Sequence, residues 1–222
     1  MPTLFSYCVR TDDGAAPNPF GGVCTLAICK PRIRLTARVG DWIAGHGSAQ
    51  SRIGDTRTRL IYAMRVTRIL SMQEYDEFSR LELRDKIPQP DSPELWRRAG
   101  DSIYDFSSGK SPVQRPGVHQ QEHMAHDLSG ANVLLSTDFY YFGDHAIPIP
   151  AHLQGIIHQR GHKSLANAPL VAPFERWIRS LGVQKNSVLG IPIDVAILER
   201  MEPSSCAPSP RSPRRRVLST RC

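Results

Sequence analysis

Apolar and polar positions alternate over residues 4–10, LFSYCVR, the two-residue period of a strand with one covered face. A second strand is predicted at Trp42-Ile43-Ala44, delivered by the Gly40-Asp41 turn and ended by Gly45-His46-Gly47-Ser48. Residues 60–70, LIYAMRVTRIL, are β-branched and alternating, and predict a third strand. Directly after it, Ser71-Met72-Gln73-Glu74 has the S-x-x-E spacing of a capping box, so a helix is predicted over 72–83, stopped by Pro88 and Pro90. Residues 88–118 carry five prolines and scattered apolar anchors, which predicts an extended excursion over the surface. ANVLLSTDFYYFG (131–143) reads as a strand that breaks at Asp138, a short helix begins near Ala151, and APFERWIRSLG (172–182) is an amphipathic helix with Gly182 as its stop. The sum is an α+β single domain, a curved mixed sheet or small β-barrel with short peripheral helices.

Charge divides this chain of 222 residues unevenly. The net charge of +7 rests on 28 lysines and arginines against 21 acids. Five of those arginines, and no acid, fall in residues 203–222, leaving 23 basic against 21 acidic residues in the nearly neutral remainder. The expected division is therefore a folded domain over 1–202 and a disordered Pro/Ser/Arg-rich tail over 203–222. No apolar run reaches the length of a membrane span and no secretory leader opens the chain, so a cytoplasmic protein without membrane partners is expected. Five cysteines without a C-x-x-C pair argue against a disulfide framework.

Candidate chemistry begins in the loop D-D-G-A-A-P-N-P-F-G-G (12–22), whose prolines and glycines set the backbone for a purpose beyond connection. Cys24 is a nucleophile candidate, and otherwise packs like Cys29 as a small apolar side chain. His119, His123, His126 and Asp127 have helical spacing that can bind zinc, but no fourth ligand stands nearby, and they read as surface or capping residues; no metal is assigned. Lys30, Arg32, Arg34 and Arg38 form a basic run. If 31–38 is extended, the arginines share one side and present a stripe to phosphates. Phe20, Trp42, Tyr62, Tyr140 and Tyr141 supply rings on which a base can stack.

The run D-D-G-x-A-P-N-P-F-x-G-x-C-T-L-A-x-C-K-P-x-I-R, followed by V-G-D-W-I-A-G, L-I-Y-A-M-R-V-T and L-S-T-D-F-Y-Y-F-G-D, resembles the type-2 nucleotide modification associated domains of bacteria and phages, over residues 4–167. His46 departs from that pattern. The resemblance implies the handling of nucleotides or modified bases in a DNA-modification or defence setting, without an established reaction or cofactor. It draws Asp12, Asn18, Thr25, Lys30, Arg34, Trp42, Asp138, Tyr140 and Tyr141 into a nucleotide-binding set, to which Phe20 and Tyr62 add rings. The order of elements is also similar to PUA-like barrels, including EVE and ASCH domains, which is an analogy of architecture. The expected function is a reader of a nucleotide, modified base or nucleic acid. The alternatives are an enzyme on the same substrates using Asp, His or Cys chemistry, and an accessory subunit docking a protein partner through 88–118.

Overall fold

Twelve strands, most of them short, are threaded between six helices in the computed structural model, which describes residues 1–109 and 111–199; the arginine-rich tail lies outside the described residues. In chain order these are β1 (Leu4–Cys8), β2 (Cys24–Leu26), α1 (Pro31–Thr36), β3 (Trp42–His46), β4 (Arg59–Arg65), β5 (Arg68–Ser71), α2 (Met72–Leu81), α3 (Leu95–Arg98), β6 (Tyr104–Asp105), β7 (Val113–Gln114), α4 (Met124–Leu128), β8 (Asn132–Ser136), β9 (Asp138–Tyr141), β10 (Ile147–Pro148), β11 (His162–Lys163), α5 (Val171–Ser180), β12 (Ser187–Val188) and α6 (Ala196–Glu199). A seven-stranded mixed sheet runs β11-β1-β3-β4-β9-β12, with β10 beside β4; a second sheet runs β2-β8-β5, and β6 and β7 form a small ribbon. The sheets do not close into a barrel among the described residues. No helix among them is long and apolar enough to cross a membrane.

The strand predicted over 60–70 is two strands, because the chain changes sheets at Val66-Thr67. The Val66 amide still bonds Asp41 of the large sheet's edge, whereas the Thr67 amide bonds Leu135 of the small sheet. Its partner does the same one residue further on. β8 belongs to the small sheet and β9 to the large, and the Thr137 amide between them donates to the Thr67 hydroxyl at 3.1 Å. Paired strands that switch sheets together turn the sheets toward one another and enclose a core between them.

Alternation sorts the side chains of the large sheet into two cores. Phe5, Tyr7, Ile43, Met64, Phe139 and Tyr141 face Cys24, Leu26 and Leu134 of the small sheet, together with Ile33 of α1. Leu4, Trp42, Ala44, Ala63 and Tyr140 point the other way, onto Phe174 and Ile178 of α5. The outer face of the small sheet packs Val133 and Leu135 against Met72 and Tyr75 of α2. That helix starts where the sequence predicts: the Glu74 amide donates to the Ser71 hydroxyl, and the Glu74 carboxylate accepts from the Ser71 amide at 2.7 Å. α5 ends at Gly182, whose φ of +66° is cheap only for glycine.

Two expectations are corrected. Residues 31–36 are helical, with Pro31 at the first turn, so Arg32 and Arg34 lie on nearly opposite sides; Arg32 is exposed and Arg34 fully buried. The single basic stripe therefore does not form. The excursion at 88–118 is not confined to the surface either: Ala99, Asp101, Ser102, Ile103 and Tyr104 are buried, because they supply polar anchors and core to the loop and helix beside them.

Candidate functional site

The residues singled out in the sequence occupy separate places. Trp42, Asp138 and Tyr140 lie on the α5 side of the large sheet. There the Arg179 guanidinium holds both Asp138 oxygens, at 2.6 and 2.5 Å, donates to the Tyr140 hydroxyl at 2.8 Å, and lies 5.1 Å from the centre of the Trp42 ring. This cluster fastens α5 to the sheet. Asn18 and Thr25 are buried in another network. Lys86, itself fully buried, donates to the Asn18 carbonyl (2.9 Å), the Asn18 side chain (2.7 Å) and the Val23 carbonyl (2.6 Å). Asp101 accepts from Thr25 at 2.6 Å and from Tyr75 at 2.5 Å. Burial lowers Lys86 to about 8 although Asp101 favours its charge. Trp42, Tyr140 and Asn18 thus do not line one cleft. Phe20 packs at a tilt against Trp96, with ring centres 5.7 Å apart, at a separate depression shared with Pro19, Phe139 and Val188.

Asp12, Tyr62 and Tyr141 do come together, between the two sheets. Tyr141 donates to Asp12 at 2.6 Å, the Ile193 amide approaches the other Asp12 oxygen at 3.2 Å, and Tyr7 and Tyr62 bond through their hydroxyls at 2.8 Å. Gly45 is required here, since a Cβ would stand 2.3 Å from the Tyr62 ring. Burial pushes the Asp12 carboxyl up to about 7, against the pull of these two hydrogen bonds.

Two adjoining cavities open beside this buried cluster. The larger, of about 830 Å³, is lined by residues of Cys8–Thr11, His46–Gln50, Arg57–Thr58 and Ile157–Arg160. The smaller, of about 560 Å³, adds Lys30 and Gly161 and shares Cys8, Arg10, Gln159 and Arg160 with the first. No carboxylate lines either one. Arg57 is paired with Asp55 at 2.7 Å, but Arg10, Lys30 and Arg160 have no ion-pair partner among the described residues. The Lys30 ammonium sits 4.5 Å over the Tyr7 ring, and burial lowers its pKa while Cys29 and Cys8 favour its charge. His46 has a structural task. Its Nδ1 lies 2.9 Å from the Gly47 carbonyl and its Nε2 accepts the His158 amide at 3.0 Å, which fixes the His158–Arg160 wall; burial lowers its pKa.

One residue before Lys30, Cys29 begins a chain of polar contacts that no spacing in the sequence announces. Its sulfur is 3.4 Å from His119 Nε2; His119 Nδ1 is 2.6 Å from Asp127 Oδ2; and Asp127 also accepts from Tyr104 at 2.8 Å and from the Cys29 amide at 2.8 Å. Burial alone would lower His119, but Asp127 and Cys29 overcome it and raise the imidazole to about 10. Asp127 is held below the ordinary carboxylate range against burial by His119, the Cys29 amide and Tyr104. Cys29 and Lys30 both adopt left-handed backbone, with φ of +56° and +42°, a conformation that costs non-glycine residues of order 1 kcal/mol or more each. Arg34 holds this arrangement. Its buried guanidinium donates to the carbonyls of Cys29 (2.8 Å), Asn132 (2.9 Å), Gly130 and Asp127, tying the cysteine loop to the end of α4 and the start of β8. Cys24, the nucleophile candidate by sequence, is fully buried between the sheets, and burial pushes its thiol up to about 12. His123 stacks on His119 with ring centres 4.7 Å apart, and both His123 and His126 are exposed.

Neither the curated proteins nor the solved structures include a match to this chain. A family model does match, over residues 1–199, so the strands, the cationic cleft and the Cys29 loop all lie inside it. The chain belongs to the nucleotide modification associated domain 2 family.

Proposed function

We propose that the chain is the nucleotide-handling component of a DNA-modification system and seats the phosphates of its ligand on Arg10, Lys30 and Arg160. The observation that carries this reading is the pair of contiguous cavities walled by three cations without carboxylate partners among the described residues. Cations gathered at a concave wall favour a multiply charged anion, and the combined space suits a nucleotide. Ser48, Gln50 and Gln159 offer donors and acceptors for a base edge. Free thiols at Cys8, Cys24 and Cys29 accord with a cytoplasmic setting. On this reading Lys30 is the one member of the sequence-derived binding set that lines the ligand's seat; Asn18, Trp42, Asp138 and Tyr140 lie outside it.

Equilibrium binding of deoxynucleoside mono- and triphosphates and of a short single-stranded DNA tests the reading. Binding is expected to weaken by about tenfold or more in the Arg10→Ala/Arg160→Ala double variant and to fall with added salt. Unchanged affinity in that variant would refute it.

A further inference from the structure

We propose that Cys29, His119 and Asp127 form a nucleophilic relay that cleaves or transfers an acyl group, an amide or ester, on the ligand held in the cationic cleft. Only the identity of the substrate rests on the nucleotide reading; the relay stands on its own geometry.

Each ring nitrogen of His119 meets one partner, sulfur at Nε2 and carboxylate at Nδ1. The imidazole therefore stands between Cys29 and Asp127. That order suits proton relay; the same three side chains bring one ligand atom each to within 4.8 Å of one another, so a metal ion is the competing occupant that the test below must separate. Both Asp127 oxygens are already engaged, by the Cys29 amide and by His119 with Tyr104. The sulfur precedes Lys30, a wall residue of the cleft, and Cys29 is half-buried where Cys24 is sealed in the core. Charged groups facing the relay are Arg34 behind Cys29, Lys30 next to it in the chain and within reach of the sulfur's field, and Asp13, whose field reaches His119; the exposed His123 ring stacks on it.

His119 Nε2 takes the Cys29 proton as the sulfur attacks and holds it ready for a basic leaving group, which is what acyl substrates with amine or alcohol leaving groups need. The sulfur adds to the acyl carbon and a C–S bond forms. Collapse breaks the C–N or C–O bond, and the His119 Nε2 proton passes to the departing amine or alcohol. Water then adds to the thioester and gives its proton to His119 Nε2. Cleavage of the C–S bond releases the carboxylic acid, and the His119 proton returns to the sulfur. Asp127 is a positioning residue that fixes the ring and stabilises its charge.

The first test exposes the wild-type protein to p-nitrophenyl acetate and to N4-acetyl-deoxycytidine monophosphate, with mass spectrometry of the trapped protein. An acetyl group on Cys29 from either probe, absent in Cys29→Ala, is expected; no adduct on Cys29 from either would overturn the relay. An adduct from the simple ester in a protein that binds no nucleotide would uphold the relay and refute the nucleotide reading, so the two failures are distinguishable. The second test follows iodoacetamide alkylation of Cys29 against pH. Wild type is expected to label about tenfold or more faster than His119→Gln in mild acid, with Asp127→Asn between them. Equal labelling rates in wild type and His119→Gln, or stoichiometric zinc bound through Cys29, would overturn the proposal.

Discussion

Asp12 shows what a single buried carboxyl does to the molecule. Its pKa rises from the ordinary carboxylate range to about 7, so the folded chain binds this proton more tightly than the unfolded chain. Its contribution is therefore most favourable in acid and is lost as pH climbs from about 4 towards 7, by roughly 4 kcal/mol at most, since each tenfold change in proton affinity is worth about 1.4 kcal/mol. Asp12→Asn should remove that slope: the melting temperatures of variant and wild type are expected to diverge in the variant's favour between mildly acidic and neutral pH. Lys86 is the opposite case, a cation held by three oxygens in the core. Lys86→Met leaves the Asn18 and Val23 carbonyls without their donor and should cost about 3 kcal/mol in denaturant unfolding. Residue types were readable in the sequence here, but their roles were not. Arg34 and Asp138 have the chemistry of ligand contacts, and only the fold shows that backbone carbonyls and Arg179 already occupy them. Cys29 and His119 are ninety positions apart, and no local pattern brings such a pair together.

Elements with a local physical signature were legible. The capping box of α2, the apolar face of α5 and the alternation of β1 and β3 each depend on residues within one or two turns of one another. Ser71→Ala should cost about 1 kcal/mol, read from urea unfolding, because it frees the Glu74 amide. The sheet change at Val66-Thr67 was not legible, since alternation runs through it and only the partner strand decides which sheet each half joins. α1 reads as extended chain in the sequence because Pro31 suits both a strand's edge and a helix's first turn. α5 is held to the sheet by Arg179 as well as by Phe174 and Ile178. Arg179→Ala is therefore expected to destabilise the protein by about 2–4 kcal/mol, from Asp138 left without its partner, while nucleotide affinity measured below the melting range stays unchanged. A loss of affinity without loss of stability would place the ligand on the α5 side instead.

At the scale of the whole molecule, two sheets joined by strands that cross together set the β1 and β3 ends, Lys30 and the 157–161 segment around two adjoining cavities. The cations of those cavities come from distant stretches, Arg10, Lys30 and Arg160, so the sequence offered them only as scattered basic residues beside a more conspicuous run at 30–38. Membership of the nucleotide modification associated domain 2 family gives the coarse setting, and the proposed phosphate seat and relay are what the experiments must add to it. The central claim is that one ligand occupies the cleft next to Cys29. Alkylation of Cys29 in the presence of saturating deoxynucleoside phosphate tests it most directly. The account predicts that bound nucleotide slows labelling severalfold in wild type and leaves it unchanged in the Arg10→Ala/Arg160→Ala variant at the same concentration; labelling that is indifferent to nucleotide in wild type, under conditions where binding is saturated, would contradict it.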